Sequence, residues 1–169
     1  MHSLPTKDMA NTYIEHSMVI NNFVVIAGNQ LRSSLCRVFG DSVKYKWIEN
    51  DNKPIIPDIS INCDVKNRRS TNFLGVPKFI MEVLSDTTEQ YDRGEKMELY
   101  KKVEVAEYWI VDWRQKRVEI YVLSPDENSI DDAEYKLIST VTEQNKDDLK
   151  LYMFPNVKID FEQLFDGVD

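Results

Sequence analysis

The sequence predicts an α/β fold: a long helix first, then a mostly antiparallel sheet, with a second helix packed on that sheet. Three observations predict it. Apolar residues recur at helical spacing from Val19 to Val38, and again from Tyr91 to Val103. Runs with strand character, such as "SVKYKWIE" and "KFIMEVLS", lie around these stretches. The chain has 169 residues, the size of one domain around one core.

The elements follow in order. Thr12 with Glu15 three residues later matches a capping box. It predicts a helix over 13–39 with Val19, Ile20, Phe23, Ala27, Leu31, Leu35 and Val38 on its apolar side and Gly40 as its stop. "SVKYKWIE" alternates Val43, Tyr45 and Trp47 against Lys44 and Lys46, as a strand does. "IIPDISINC" (55–63) predicts a second strand, with Pro57 at the start of its ladder or on a bulge. The polar loop 64–77 holds Lys66, Arg68 and Arg69, and a third strand follows over 78–85. A helix is expected over 88–103, slightly weakened by Gly94. "AEYWIVDW" (106–113) and "KRVEIYVLS" (116–124) read as a hairpin joined through Arg114 and Gln115. "YKLISTV" and "DLKLYMF" read as later strands, and "FEQLF" as a short amphipathic helical turn.

Composition narrows the function classes. Hydrophobic residues make up 42% of the chain, enough for a packed interior rather than disorder. No apolar run is long enough to span a bilayer, and the first residues lack the features of a signal peptide. Cys36 and Cys63 stand apart, outside any zinc spacing, which predicts reduced thiols and a cytoplasmic location. The net charge of −8 argues against nucleic-acid binding, but it is unevenly spread. Residues 1–79 carry 10 basic and 7 acidic side chains, whereas residues 80–169 carry 11 and 22. A local basic surface on the first half could hold phosphates; the other reading is ordinary surface variation. P-loop, dinucleotide, zinc-protease and serine-elbow motifs are missing, and two histidines are too few for a multi-histidine metal centre. His16, near the start of the first helix, reads as a cap or packing residue. Tyr108, Trp109 and Trp113 read as core.

Two acids interrupt apolar strands. In "DISINC", Asp58 shares a face with Ser60 and Asn62; in "FIMEVL", Glu82 shares a face with Ile80 and Leu84. If the strands pair, the carboxylates converge, and a divalent cation between them would relieve both repulsion and burial. Few protein oxygens plus retained waters suit magnesium. The alternative is a turn-capping Asp58 and a Glu82 paired with a basic residue. Lys96 is the candidate cation by length. Glu82 lies about 10 Å before the strand end, and Lys96 about 12 Å along a returning helix. The alternative for Lys96 is an i,i+4 pair with Asp92 on a solvated face.

"PDISINCD", "GVPKFIMEVLSDTT", "YDRGEKMELYKK" and "VAEYWIVD", in this order, resemble the Uma-two family of restriction-endonuclease-like proteins in the PD-(D/E)XK nuclease superfamily. The resemblance runs from Pro57 to Tyr121, and loosely to "EHSMVINNF" and "MFPNVKIDFEQLF". It implies a restriction-endonuclease-like mixed sheet flanked by helices, one helix before the sheet and another after the Glu82 strand. It implies that Asp58 and Glu82, with the main-chain carbonyl of Val83, hold Mg2+ (or Mn2+). The superfamily lysine is expected two residues after Glu82, where this chain has Leu84; Lys96 matches the helix lysine that replaces it. Pro77-Lys78 departs from the family's usual "PD" at that point, and the chain is expected to begin later than the family usually does. Glu15 is a weaker candidate for a third acid.

The activity implied is magnesium-dependent DNA endonuclease action by Asp58, Glu82 and Lys96, with Lys66, Arg68 and Arg69 touching phosphates. DNA and a twofold homodimer are the implied partners, with no membrane and no organic cofactor. The rival is a catalytically inactive relative that binds nucleic acid or serves assembly.

Overall fold

A computed structural model describes residues 13–47, 53–66, 74–125 and 133–169. The first helix, α1, is Ile14–Leu31, and its buried stripe is His16, Val19, Ile20, Phe23, Ala27 and Leu31. Thr12 lies outside the described residues; Tyr13 stands at the N-cap and makes no side-chain cap. The helix stops well before Gly40. Ser34 donates from both its N–H and its Oγ to the Leu31 carbonyl, at 3.0 and 2.8 Å. Its Oγ also accepts the Cys36 N–H at 3.0 Å. This local serine turn takes the backbone groups that further helix would need. Leu35 is exposed, and Val38 belongs to an edge strand, β1 (Arg37–Phe39).

The described strands form one six-stranded sheet in sequence order. After β1 come β2 (Ile59–Asn62), β3 (Phe79–Val83), β4 (Glu107–Asp112), β5 (Arg117–Pro125) and β6 (Ala133–Val141). Every neighbouring pair is antiparallel except β3 and β4, which are parallel. That pair needs a crossover, supplied by α2 (Glu89–Arg93) and α3 (Glu95–Lys102). One helix was expected here. The backbone leaves helical geometry at Gly94 (φ −105°, ψ −95°), where a Cβ would sit only 3.0 Å from the Gln90 carbonyl, so the break falls at a glycine. "SVKYKWIE" contributes only an isolated bridge, Tyr45 to Ile55. Pro57 precedes the β2 ladder, so the proline meets no strand donor position.

Strand alternation splits the core in two. One cluster joins α1 and α4 (Phe161–Leu164) to Ile59, Ile61, Phe79, Met81, Trp109 and Val111. Phe23 stacks on Phe79 at 5.3 Å and meets Trp109 edge-on at 5.9 Å. The opposite face gathers Tyr45, Trp47, Ile80, Leu84, Tyr100, Tyr108 and Ile110. Tyr108, Trp109 and Trp113 are buried core residues.

"DLKLYMF" is not a strand. Its Leu149 and Leu151 fill the α1-side core, but its backbone finds a side chain rather than a neighbouring strand. Glu107 Oε1 accepts the N–H groups of Tyr152 at 3.0 Å and Met153 at 2.9 Å, while Oε2 accepts the Trp109 indole N–H at 2.7 Å. Cys36 and Cys63, expected as separate thiols, are joined by a disulfide. They directly face each other where β1 and β2 pair, one step past Arg37 and Asn62. Sequence separation hid this adjacency, and the bond removes the basis for expecting reduced thiols.

Glu107 therefore anchors a long segment. Glu107→Ala would strand one buried donor, the Trp109 indole, and two partly buried amides, at about 1–3 kcal/mol for a fully buried unsatisfied group. The expected outcome is a loss of roughly 3 kcal/mol in urea unfolding at pH 5, with faster amide exchange at Tyr152 and Met153. Unchanged exchange there would contradict the anchoring role.

Candidate functional site: a buried acid cluster at the β2–β3 edge

β2 and β3 pair with Ile59 opposite Met81 and Ser60 opposite Ile80. One further step of this register sets Asp58 opposite Glu82. Directly opposed residues of an antiparallel pair share a face, with Cβ atoms about 4.5–5.5 Å apart. The two carboxyl groups thus start from neighbouring positions on the face that α3 covers. Both are buried, at 4% and 1% exposure. Asp58 Oδ2 accepts the Val83 N–H at 2.8 Å, so the carboxylate replaces a rung of the ladder.

Glu82 is gripped from α3. Lys96 Nζ lies 3.1 Å from Glu82 Oε2, and the Tyr100 hydroxyl donates to Oε1 at 2.8 Å. These residues are i,i+4, one above the other on one helix face. Lys96 also lies 3.2 Å from Asp92 Oδ1. Pointing inward and pairing with Asp92 are therefore not alternatives, because Asp92 is itself buried at 1% exposure. Thr88 donates to the other Asp92 oxygen at 3.1 Å, and Tyr108 donates to the Asp92 carbonyl at 2.9 Å. α2 is further fixed by Arg93, whose guanidinium makes a forked pair with Glu119 at 3.1 and 2.6 Å.

Burial pushes the Glu82 carboxyl up to about 8; Lys96 opposes this, while Asp58 and Asp92 add to it. Asp92 is raised for the same first reason, burial. Burial works against the Lys96 charge, but Glu82, Asp92 and Asp58 outweigh it and raise the ammonium above its ordinary value. Lys96 is thus a protonated donor at neutral pH and not a base.

From the other side comes a residue that sequence reasoning set aside. His16 Nε2 lies 3.1 Å from the Val83 carbonyl oxygen and 3.3 Å from Asp58 Oδ2. Its Nδ1 has no hydrogen-bond partner among the described residues. The signal was available: His16 is in phase with Val19, Ile20 and Phe23 on the buried stripe, where a polar side chain needs a reason. Glu15, the weaker third-acid candidate, is only half-buried in the first turn, and its neighbour His16 reaches the site instead. Lys66 is exposed in the loop after β2; Arg68 and Arg69 lie outside the described residues.

Among the described residues no three His, Cys, Asp or Glu side chains form a ready metal cage. The donor set is smaller: Asp58, Glu82 and the Val83 carbonyl. It fits a hard divalent cation that keeps several waters. The chemistry of the donors supports that fit: two carboxylates and a carbonyl are all hard oxygen donors, and Asp58 and Asp92 both make the Glu82 charge harder to hold.

The geometry meets an independent comparison here. Residues 7–162 match Uma2, the family described as "Putative restriction endonuclease". The chain belongs to the Uma2 family. A solved relative, described as a "putative nuclease belonging to DUF820" from Anabaena variabilis, shares the fold with a TM-score of 0.64 and 18% identity. The superposition covers 89% of this chain and 80% of that one. "Uncharacterized protein slr1290" of Synechocystis sp. is 30% identical over 112 residues, which are 66% of this chain and 58% of that protein. The matched stretch thus spans little more than half of that relative. The Uma2 blocks quoted above map onto the site: "PDISINCD" carries Asp58, "FIMEVL" carries Glu82, and "YDRGEKMELY" carries Asp92, Lys96 and Tyr100. No helix among the described residues is long and apolar enough to cross a membrane.

The raised carboxyls dictate a pH response. An unfolded glutamate titrates near 4.5, whereas Glu82 holds its proton to about 8 and Glu107, chiefly through burial, to about 7. Between these values the folded state binds more protons, so metal-free stability falls as pH rises. The melting temperature should drop by at least about 4 °C from pH 5.5 to 8.5. Glu82→Gln should flatten the upper part of that slope; an unchanged slope would contradict the shifted acid.

Proposed function

We propose that this Uma2 protein is a divalent-metal-dependent DNA endonuclease that hydrolyses phosphodiester bonds. The observation that carries the reading is the meeting of Asp58, Glu82 and Lys96 in one buried cluster. They come from three separate elements, at the end of the β2–β3 ladder and across from it on α3. Asp58, Glu82 and the Val83 carbonyl would hold the cation, magnesium or manganese. When bound, the cation supplies Lewis-acid stabilisation of charged phosphate oxygens.

The remaining work falls to the chain. Asp58, fixed by the Val83 N–H, and Glu82, fixed by Tyr100, give rigid donors that need no reorganisation. Lys96 keeps its proton, so it orients the attacking water and stabilises the phosphate as an ammonium donor. Asp92 and Tyr108 hold that lysine and its helix in position. Lys66, with Arg68 and Arg69 of the same loop, would bind backbone phosphates. A twofold homodimer would present two sites to two strands, and intracellular DNA as substrate would place the action in the cytoplasm.

The test is cleavage of plasmid and single-stranded DNA with Mg2+ or Mn2+, and its loss with EDTA. Lys96→Ala should cut the rate by about 10²–10³-fold, the usual effect of removing one electrostatic stabiliser. The metal should still bind in calorimetry, no more weakly than to wild type, because an ammonium is not a ligand and its loss leaves the acids less neutralised. Wild-type protein that binds metal and DNA without cutting would instead identify an inactive binding or assembly module.

A further inference from the structure

His16 has no part in the reading above, yet it touches two of the three donors assigned there. Nε2 is 3.1 Å from the Val83 oxygen and 3.3 Å from Asp58 Oδ2. Its position is imposed and not incidental. α1 is fixed to the sheet by Val19, Ile20 and Phe23, all fully or nearly buried, and His16 heads that stripe one turn before Val19. The imidazole reaches past the sheet's end to the carboxylate on the far face, and it is 4% exposed there.

The distances have a specific meaning. Donors about 2.1–2.2 Å from an octahedral ion are separated along each edge by about 3.0–3.1 Å, the ligand distance times the square root of two. The two contacts of Nε2 have nearly this length. A hydrogen-bonded strut from Nε2–H to the Val83 carbonyl would give similar lengths, so distance alone does not separate the two. The chemistry of the partners favours a ligand. The Val83 carbonyl and the Asp58 carboxylate are both acceptors turned toward Nε2, so a cation held by the two oxygens would lie within reach of that nitrogen.

We propose that His16 Nε2 is a further protein donor to the divalent cation, beside Asp58 and the Val83 carbonyl and delivered by α1, and that it tilts the site from magnesium toward manganese. The proposal rests on the metal reading of Asp58 and the Val83 carbonyl. The donors become one imidazole nitrogen beside oxygens. Imidazole suits transition ions, while an all-oxygen set suits magnesium equally with manganese. Binding requires the ring to carry its proton on Nδ1, which leaves the Nε2 lone pair free for the ion.

The experiment uses the full chain loaded with Mn2+, read by pulsed electron paramagnetic resonance and by calorimetry. Wild type should show nitrogen modulation from a directly bound imidazole and should bind Mn2+ more tightly than Mg2+. In His16→Gln, with Mn2+ still bound, the modulation should vanish. Its Mn2+ affinity should fall by at least about tenfold, since even outer partners of metal ligands commonly cost that much. Mg2+ affinity should change less. The chain has two histidines, so a signal that survives in His16→Gln overturns the proposal. So does Mn2+-loaded, DNA-cleaving wild type without nitrogen modulation, which removes His16 as a ligand and leaves the nuclease reading standing. Wild type that binds neither ion overturns both. Glu82→Ala that still binds Mn2+ with the nitrogen signal upholds His16 and rejects only the Glu82 assignment. Because the first readout uses wild type, a poorly folding variant does not decide the outcome.

Discussion

The ammonium of Lys96 between Glu82 and Asp92 is the interaction on which this arrangement depends. Three carboxyl groups converge on the end of two strands, and like charges in a poorly solvated place repel strongly. One buried cation holds them together without cancelling them. The surrounding structure is organised to keep it there. Gly94 breaks the crossover into two short helices, Tyr108 ties the end of the first to the sheet, and Tyr100 fixes the Glu82 oxygen that Lys96 leaves free. Breaking a buried ion pair by removing one partner costs about 3–5 kcal/mol, so the lysine is structural as well as chemical. Stability and rate effects at this position therefore have to be read separately.

The sheet explains why such a cluster is possible. β3 pairs antiparallel with β2 on one side and parallel with β4 on the other. The parallel pair forces the chain to cross over one face and return as α3, bringing Lys96 and Tyr100 above Glu82. The antiparallel pair brings Asp58 level with it. α1 occupies the opposite face, and its first turn extends beyond the strand ends. Elements from both layers thus meet where the ladder stops and main-chain groups become available to something other than a strand. The Val83 carbonyl is one such group.

Much of this was legible in the sequence, for identifiable reasons. Asp58 and Glu82 stood out because each breaks an apolar strand, and rise per residue was enough to set Lys96 level with Glu82. Asp92 was misread because i,i+4 spacing to a lysine is the commonest surface pattern, and only tertiary burial distinguishes it. Leu35 and Val38 continued the helical spacing, but Ser34 captured the helix's last carbonyl and the chain turned into an edge strand. "DLKLYMF" has the composition of a strand but lacks a neighbour, because its amides go to Glu107. The Cys36–Cys63 pairing depends on which strands adjoin, which spacing does not encode.

Glu82 and Glu107 sharpen the distinction between a site and a strut. Both are fully buried glutamates on adjacent strands, and burial raises the pKa of both. Around Glu107 the partners are two backbone amides and an indole, groups that neither titrate nor move independently of the fold. Both of its oxygens are engaged by groups that belong to the fold, and among the described residues no second charge stands beside it. Around Glu82 the partners are an ammonium and a phenol, with two further acids nearby that make its charge harder to hold. That environment is electrostatically incomplete, so a divalent cation entering it would gain from all three acids at once. Burial of an acid in a strand is therefore weak evidence for chemistry. A balance of nearby charges left negative is the stronger sign, and in this fold it occurs where β2, β3, α3 and the start of α1 converge.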